Sequence, residues 1–328
     1  MDKPQPARIF ITGFTGFVGS HLVEHCRRRY PEAELFGLYH RTEPQQSAAP
    51  LECITPLKAD ILQADDVRQA LAQARPDLIF HLAAQSSVAA SWVDPMQTLQ
   101  VNALGTLHLL EIVRQEHPTT RVVLVGSAEQ YGAVQAHENP IHEEQPFKPG
   151  NPYAISKVTQ DLYGNQYFVA YGLPIIRVRS FNHFGPRQSN AFVLPGFARQ
   201  IALIEAGKAE PVVRVGNLQV QRDFLSVEDV VEAYLAVAEH GQPGEIYNVG
   251  SGKARSIRTI LDFLLSSAKM PIQVYQDPAY MRPVDIPILE ADISRIQAHT
   301  GWKPTKSFEV ALEELLDYWR AMVATDLL

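Results

Sequence analysis

The stretch ARIFITGFTGFVGSHLVEH (7–25) decides the fold. Its apolar run RIFIT (8–12) ends in a glycine and reads as a buried strand. FVGSHLVEHCRRR (17–29) then repeats apolar residues at helical spacing, through Val18, Leu22, Val23 and Cys26. Gly13, Gly16 and Gly19 fall where strand passes into helix. Glycine suits that place because the chain turns tightly, the backbone must approach a ligand, and the helix packs close to the strand. The helix start offers free N–H groups and the positive end of a dipole to a pyrophosphate. The reading places a dinucleotide against Gly13, Gly16, Gly19 and the first helical residues, Phe17 and Val18.

Outward from that turn, strands alternate with helices. ELFGLY (34–39), DLIFHLAA (77–84), RVVLVGS (121–127) and IIRVRS (175–180) read as buried strands. TLQVNALGTLHLLEIVRQEH (98–117) and PYAISKVTQDLYGNQYFVAYG (152–172) read as long helices, the second with proline at its first position and Gly172 at its end. This alternation predicts an α/β protein with a doubly wound, Rossmann-type parallel sheet. The pattern loosens after Phe181, where FNHFGPRQSN reads as a loop. We expect a dinucleotide-binding domain over 1–181 and a smaller mixed α/β lobe over 182–328, with 226–250 folding back onto the first.

The second strand ends in LYHRTE, so Tyr39, His40 and Arg41 stand where NAD-binding chains place a carboxylate for the adenosine ribose. A guanidinium can pair with a 2′-phosphate that a carboxylate would repel. NADP(H) is therefore expected over NAD(H), with Arg41 on the phosphate; a later strand end would let Glu43 take the acidic role instead. Asp60 and Ile61 follow the third strand and are expected at the adenine, with Leu82, Ala83 and Ala84 along the cofactor.

The 328 residues are 46% hydrophobic and 20% charged, which excludes a disordered chain. A net charge of -7 argues against a nucleic-acid binder. The two cysteines, Cys26 and Cys53, form no framework. The N-terminus lacks a signal peptide's apolar core, and no uncharged apolar run reaches the roughly 18 residues that cross a bilayer. A cytoplasmic protein without membrane contact is expected. His137 and His142 in AHENPIHEE lack metal-ligand spacing, so no metal is expected.

Tyr153 and Lys157, four residues apart, share one helix face. A tyrosine ordinarily ionises near pH 10. An adjacent ammonium is expected to lower that value, letting the phenol exchange a proton with a carbinol or ketone oxygen.

TGFTGFVG, HLAAQSSV, VNALGT, GSAEQYG and NPYAISK resemble, in that order, the motifs of the extended short-chain dehydrogenases/reductases, over nearly the whole chain. The resemblance implies that Ser127 hydrogen-bonds the reacting oxygen, Tyr153 is the acid/base, and Lys157 tunes it and holds the nicotinamide ribose. It implies that Asn102 braces a strand against a helix, and that the helices 98–117 and 152–172 form a homodimer, with Leu99, Leu107 and Leu110 as candidate contacts. FNHFGPRQ (181–188), VGNLQVQRDF (215–224) and YMRPVDIP (280–287) look like the substrate motifs of family members acting on GDP-sugars. Ser86, Asn182 and Val193 are then expected on the substrate, and Arg222 and Arg282 on its diphosphate, with Arg187 a further basic neighbour.

Glu129 matches the C5 base of the family's 4,6-dehydratases, yet its neighbour Ala128 stands where those enzymes carry a polar or acidic side chain. The expected reaction is NADPH-dependent reduction of the C4 ketone of GDP-4-keto-6-deoxy-mannose to GDP-rhamnose. The alternatives are 4,6-dehydration of GDP-mannose with Glu129 as base, C4 epimerisation, and a non-catalytic dinucleotide sensor.

Overall fold

The computed structural model describes residues 5–41, 51–280 and 286–325. Its strands are β1 (Arg8–Thr12), β2 (Glu34–Tyr39), β3 (Thr55–Lys58), β4 (Leu78–His81), β5 (Arg121–Ser127), β6 (Ile175–Ser180), β7 (Asn182–Phe184), β8 (Val212–Val215), β9 (Gln221–Ser226), β10 (Ile246–Val249), β11 (Ala254–Ser256), β12 (Gln273–Gln276) and β13 (Ile288–Leu289). Its helices are α1 (Phe17–Arg29), α2 (Ala64–Ala74), α3 (Val88–Val93), α4 (Pro95–Leu99), α5 (Gly105–Glu116), α6 (Pro152–Tyr171), α7 (Val193–Glu205), α8 (Val227–His240), α9 (Ile257–Ser266), α10 (Ser294–Thr300) and α11 (Phe308–Ala324).

A parallel sheet of seven strands, in the order β3-β2-β1-β4-β5-β6-β10, is the Rossmann-type core. Ile9, Phe10 and Ile11 on β1 are all buried because helices cover both faces, which is why this strand is continuously apolar rather than alternating. On one face Leu22, Val23 and Cys26 of α1 meet Val230, Val231 and Tyr234 of α8. On the other, α2 and α5 bury Val67, Leu71, Leu109 and Val113. Residues 227–249 thus return to the sheet as α8 and its edge strand β10. The chain leaves β1 toward β2 and re-enters on the opposite side at β4. The crevice between those two strand ends is the switch point where doubly wound sheets bind ligands.

The second lobe sets β11-β9-β13, with β7 beside β9, and the ribbon β8–β12 against α7, α9 and α11. Phe197, Ile201, Leu261, Leu312 and Leu315 fill it. FNHFGPRQSN therefore contains strand β7, too short for its periodicity to be read. The helix expected over 98–117 begins earlier and changes pitch. Asp94 caps α4 by accepting from the Gln97 N–H (2.9 Å), and a π-helical turn at Gln100–Leu104 precedes α5. At the end of that turn Gly105 lies so close to Ile61 that a Cβ would sit 2.9 Å from its side chain. Among the described residues no helix is long and apolar enough to cross a membrane.

Candidate active site

Gly13 adopts φ +71°, and a Cβ there would lie 3.0 Å from the Ala83 nitrogen, so the turns after β1 and β4 touch at the switch point. A Cβ on Gly19 would lie 2.6 Å from Phe14 Cα, which keeps α1 close to the turn. Gly16 precedes α1 with no side-chain cap. The first-turn N–H groups of Phe17, Val18 and Gly19 have no intrahelical acceptor by helix geometry, so this end is suited to a phosphate.

Behind the turn, Thr12 Oγ1 accepts from the Leu82 and Ala83 N–H groups (3.1 and 3.0 Å), so its own proton goes to His81 Nδ1 (2.9 Å). Thr106 Oγ1 donates to the Asn102 carbonyl (2.7 Å) and therefore accepts from His81 Nε2 (2.9 Å). His81 is thereby locked as the neutral Nε2–H tautomer. Burial, with the Lys157 charge adding to it, pushes its pKa down to about 3. Between the unfolded value near 6.5 and that folded value, the unfolded chain binds a proton that the native one refuses. Stability is then lost as pH falls through this window, at up to about 1.4 kcal/mol per unit. Urea midpoints measured from pH 7 to pH 5 should drop more steeply in the wild type than in His81→Asn; parallel curves would contradict the locked tautomer.

Where the adenine is expected, Asp60 Oδ1 accepts from the Leu62 N–H (3.0 Å) and its Oδ2 lies 3.7 Å from His40 Nε2. Ile61 is buried, Leu82, Ala83 and Ala84 are half-buried, and Arg41 is exposed just past β2. Glu43 lies outside the described residues.

Asn151 caps α6 by accepting from the Ala154 N–H (2.8 Å), Pro152 opens the helix, and the next residue is Tyr153. The Tyr153 phenol is buried, and the side chain of Ser127, the last residue of β5, is near enough to influence its acidity. Lys157, one turn on, donates to the Val125 carbonyl (2.9 Å) and to Gln160 Oε1 (2.8 Å). The expected tuning is corrected here. Burial dominates and pushes the Tyr153 pKa up to about 12, with the Ser127 side chain lowering it and the Glu129 charge raising it. Burial also brings the Lys157 pKa down to about 7. An amine half-neutral at neutral pH, and bonded to a carbonyl and an amide, does not offset the desolvation of the phenol. Tyr153 consequently holds its proton.

Ser127 also opens a short 3₁₀ turn, Ala128–Tyr131: its Oγ accepts from the Glu129 N–H (3.2 Å), while Gln130 Oε1 accepts from the Ser127 N–H (2.9 Å). Glu129 is half-buried, and its carboxylate accepts from Asn151 Nδ2 (3.1 Å). Ala128 is buried among Tyr131, Val134, Ile141 and Phe181. Asn102, wholly buried in the π-helical turn, donates to the Gln85 carbonyl (3.0 Å) and Ser156 Oγ (2.9 Å) and accepts from the Gln85 N–H (2.7 Å). It ties the segment after β4 to α6.

In the second lobe, Asn182 is exposed on β7 opposite Phe224 of β9. Arg222 on β9 donates to the Ile286 (2.6 Å) and Gln221 (2.8 Å) carbonyls. Val193 opens α7 and is 40% exposed; Ser86 is exposed beside Ser87, the cap of α3. Arg282 lies outside the described residues. Arg187 is turned to α1, pairing with Glu24 (2.6 Å) from a left-handed backbone at φ +73°.

Of the candidate dimer contacts, Leu99 is exposed, but Leu110 is fully buried and Leu107 half-buried, both against the sheet side. The exposed apolar stripe runs instead along α6, through Ile155, Leu162 and Val169, with Trp92, Val93 and Met96 on α3 and α4 nearby. The candidate residues all lie on the 98–117 helix, whereas the buried face of α6 is largely polar, with Ser156, Lys157, Gln160 and Asp161. Sequence reasoning also missed Thr12, His81, Asn151 and Gln130; only Asn151, an N-cap residue before proline, carried a local signal.

Residues 10–315 match the model of the GDP-mannose 4,6 dehydratase family. The GDP-6-deoxy-D-mannose reductase of Pseudomonas aeruginosa is 35% identical over 316 residues, covering 96% of this chain and 98% of that protein. GDP-mannose 4,6 dehydratase 2 of Arabidopsis thaliana is 31% identical, covering 95% and 87%. The solved structure of RMD from Pseudomonas aeruginosa complexed with NADPH superposes with a TM-score of 0.83 at 33% identity, covering 96% of this chain and 99% of that one.

Proposed function

The chain belongs to the GDP-mannose 4,6-dehydratase family of extended short-chain dehydrogenases/reductases, and within it we propose an NADPH-dependent reductase that converts the C4 ketone of GDP-4-keto-6-deoxy-D-mannose to GDP-D-rhamnose. The observation that carries this reading is the pairing of a protonated Tyr153 with an apolar Ala128. A reduction needs an acid at C4 and nothing at C6, whereas loss of water from C6 calls for a further proton donor there.

The glycine turn fits a dinucleotide: the α1 N-terminus faces it without a side-chain cap, and a Cβ at Gly13 or Gly19 would fill the cradle. Gly13, Gly16, Phe17, Val18 and Gly19 would hold the pyrophosphate. Asp60 would take the adenine side, Arg41 the 2′-phosphate, and Lys157 the nicotinamide ribose. NADPH, when bound, supplies the hydride. Ser127 holds the ketone oxygen and Tyr153 gives it a proton as negative charge develops, so both donors act most strongly in the transition state. Asn151 steers the Glu129 carboxylate beside them. Asn182, Ser86 and Val193 would line the GDP-sugar site, with Arg222 and Arg282 at the diphosphate. The free thiols Cys26 and Cys53 accord with a cytoplasmic setting.

Glu129 so near Ser127 favours one second reading, dehydration of GDP-mannose with this carboxylate as C5 base. Two reactions separate the readings. Keto-sugar with NADPH should consume one NADPH per sugar reduced, and NADH should serve more weakly. GDP-mannose with NADP+ and no reductant should remain unchanged; its conversion to keto-sugar would sink the reductase reading.

The stripe Ile155, Leu162 and Val169 supports a homodimer through α6 and the α3–α5 segment. Wild type at micromolar concentration should sediment as a dimer, and Val169→Glu with Leu162→Glu as a monomer. A monomeric wild type would rule the interface out.

A further inference from the structure

The turn that carries Ser127 and Glu129 ends at Tyr131, which is fully buried and takes no part in the chemistry proposed above. Its phenol donates to Asn248 Oδ1 on β10 (2.6 Å) and accepts from Arg179 Nη1 on β6 (3.0 Å). Arg179 is itself held by Asp161 of α6 (3.0 Å) and by the Glu143 carbonyl (2.9 Å). Its guanidinium lies 5.0 Å from the Tyr131 ring centre and 4.5 Å from that of Phe147. Asn248 reaches further, donating to the Ile141 carbonyl (2.8 Å) and, from its N–H, to the Glu143 carboxylate (2.8 Å).

At the far end of a turn only a few residues long, one hydroxyl thus bonds β6 and β10 directly and, through Arg179 and Asn248, reaches α6 and the segment 141–143. The near end is fixed by the Ser127–Gln130 capping pair. A short turn held at both ends cannot rotate, and the Ser127 hydroxyl inherits that constraint. Asp161 lies one helical turn beyond Lys157, so the same node registers the catalytic helix against the serine. We infer that Tyr131 is a positioning residue: through Arg179 and Asn248 it sets the orientation of Ser127 relative to Tyr153. The inference rests on the catalytic roles proposed for Ser127 and Tyr153.

Tyr131→Phe tests it, because the ring, its packing and its contact with the Arg179 charge remain while both hydrogen bonds go. The assay uses whichever sugar, the keto-sugar or GDP-mannose, wild type turns over. That choice tests the reductase reading, and the comparison with wild type tests the positioning. We expect kcat to fall about tenfold, with KM for the sugar and NADPH binding by fluorescence within about twofold of wild type. In a Ser127→Ala background the same change should cost less than about twofold, since both act through one hydroxyl. An unchanged kcat, a loss expressed in KM, or a full tenfold loss repeated without Ser127 would overturn the inference. Should Tyr131→Phe fail to fold, Arg179→Lys, which keeps the charge and loses the fork, is expected to show the same split and the same dependence on Ser127.

Discussion

Tyr153→Phe should lower kcat by about 10²–10⁴-fold, the range for loss of a positioned general acid. The substitution removes only the phenolic hydroxyl proposed to give the ketone oxygen its proton. The ring remains in its buried place at the start of α6, so NADPH binding and thermal stability should stay near wild type. The loss should appear in kcat and kcat/KM alike, as for an interaction made in the transition state. In wild type, burial holds the phenol protonated to about pH 12, so the acid form persists through the physiological range. The group nearby with a value in that range is Lys157, at about 7. A kcat that survives Tyr153→Phe would remove the acid from the mechanism.

Asp161→Ala should be the most damaging change to stability. Its carboxylate, almost wholly buried, pairs with Arg177 Nη1 (2.9 Å) and Arg179 Nε (3.0 Å), and both guanidinium groups are themselves largely buried. Removing the carboxylate leaves two cations without their compensating charge in a desolvated site, a loss of about 3–5 kcal/mol. Urea denaturation would read this as a lower midpoint at unchanged slope. Asp161→Asn, which keeps one acceptor oxygen, should lose less. A loss under about 1 kcal/mol for the alanine variant would place the pair among ordinary surface ion pairs and contradict its burial.

Much of this architecture is legible locally. β1, α1, β2, β5, α6 and β6 announce themselves through long apolar runs, a proline after an N-cap asparagine, and a closing glycine. β7 and β13 do not, because three or two residues carry no periodicity and form only against β9. The break in the helix expected over 98–117 is equally silent, since Asn102 turns inward for partners at Gln85 and Ser156 that lie far away along the chain. Leu110 and Val169 show the same limit: each is an apolar residue on an apolar helix, and only packing distinguishes the sheet face from the exposed one.

The glycine turn, the alternation of strands and helices through β6, and the placing of Tyr153 and Lys157 one turn apart on one helix follow from the sequence alone. They depend on near neighbours: on steric room at a missing Cβ, on helical spacing, and on which residues cap a helix. The acidity of Tyr153, the displacement of the Lys157 ammonium onto Val125 and Gln160, the neutral tautomer of His81 and the direction in which Arg187 turns were decided by the tertiary structure. Each is set by desolvation or by a partner brought from a distant segment, and neither quantity exists until the chain has folded.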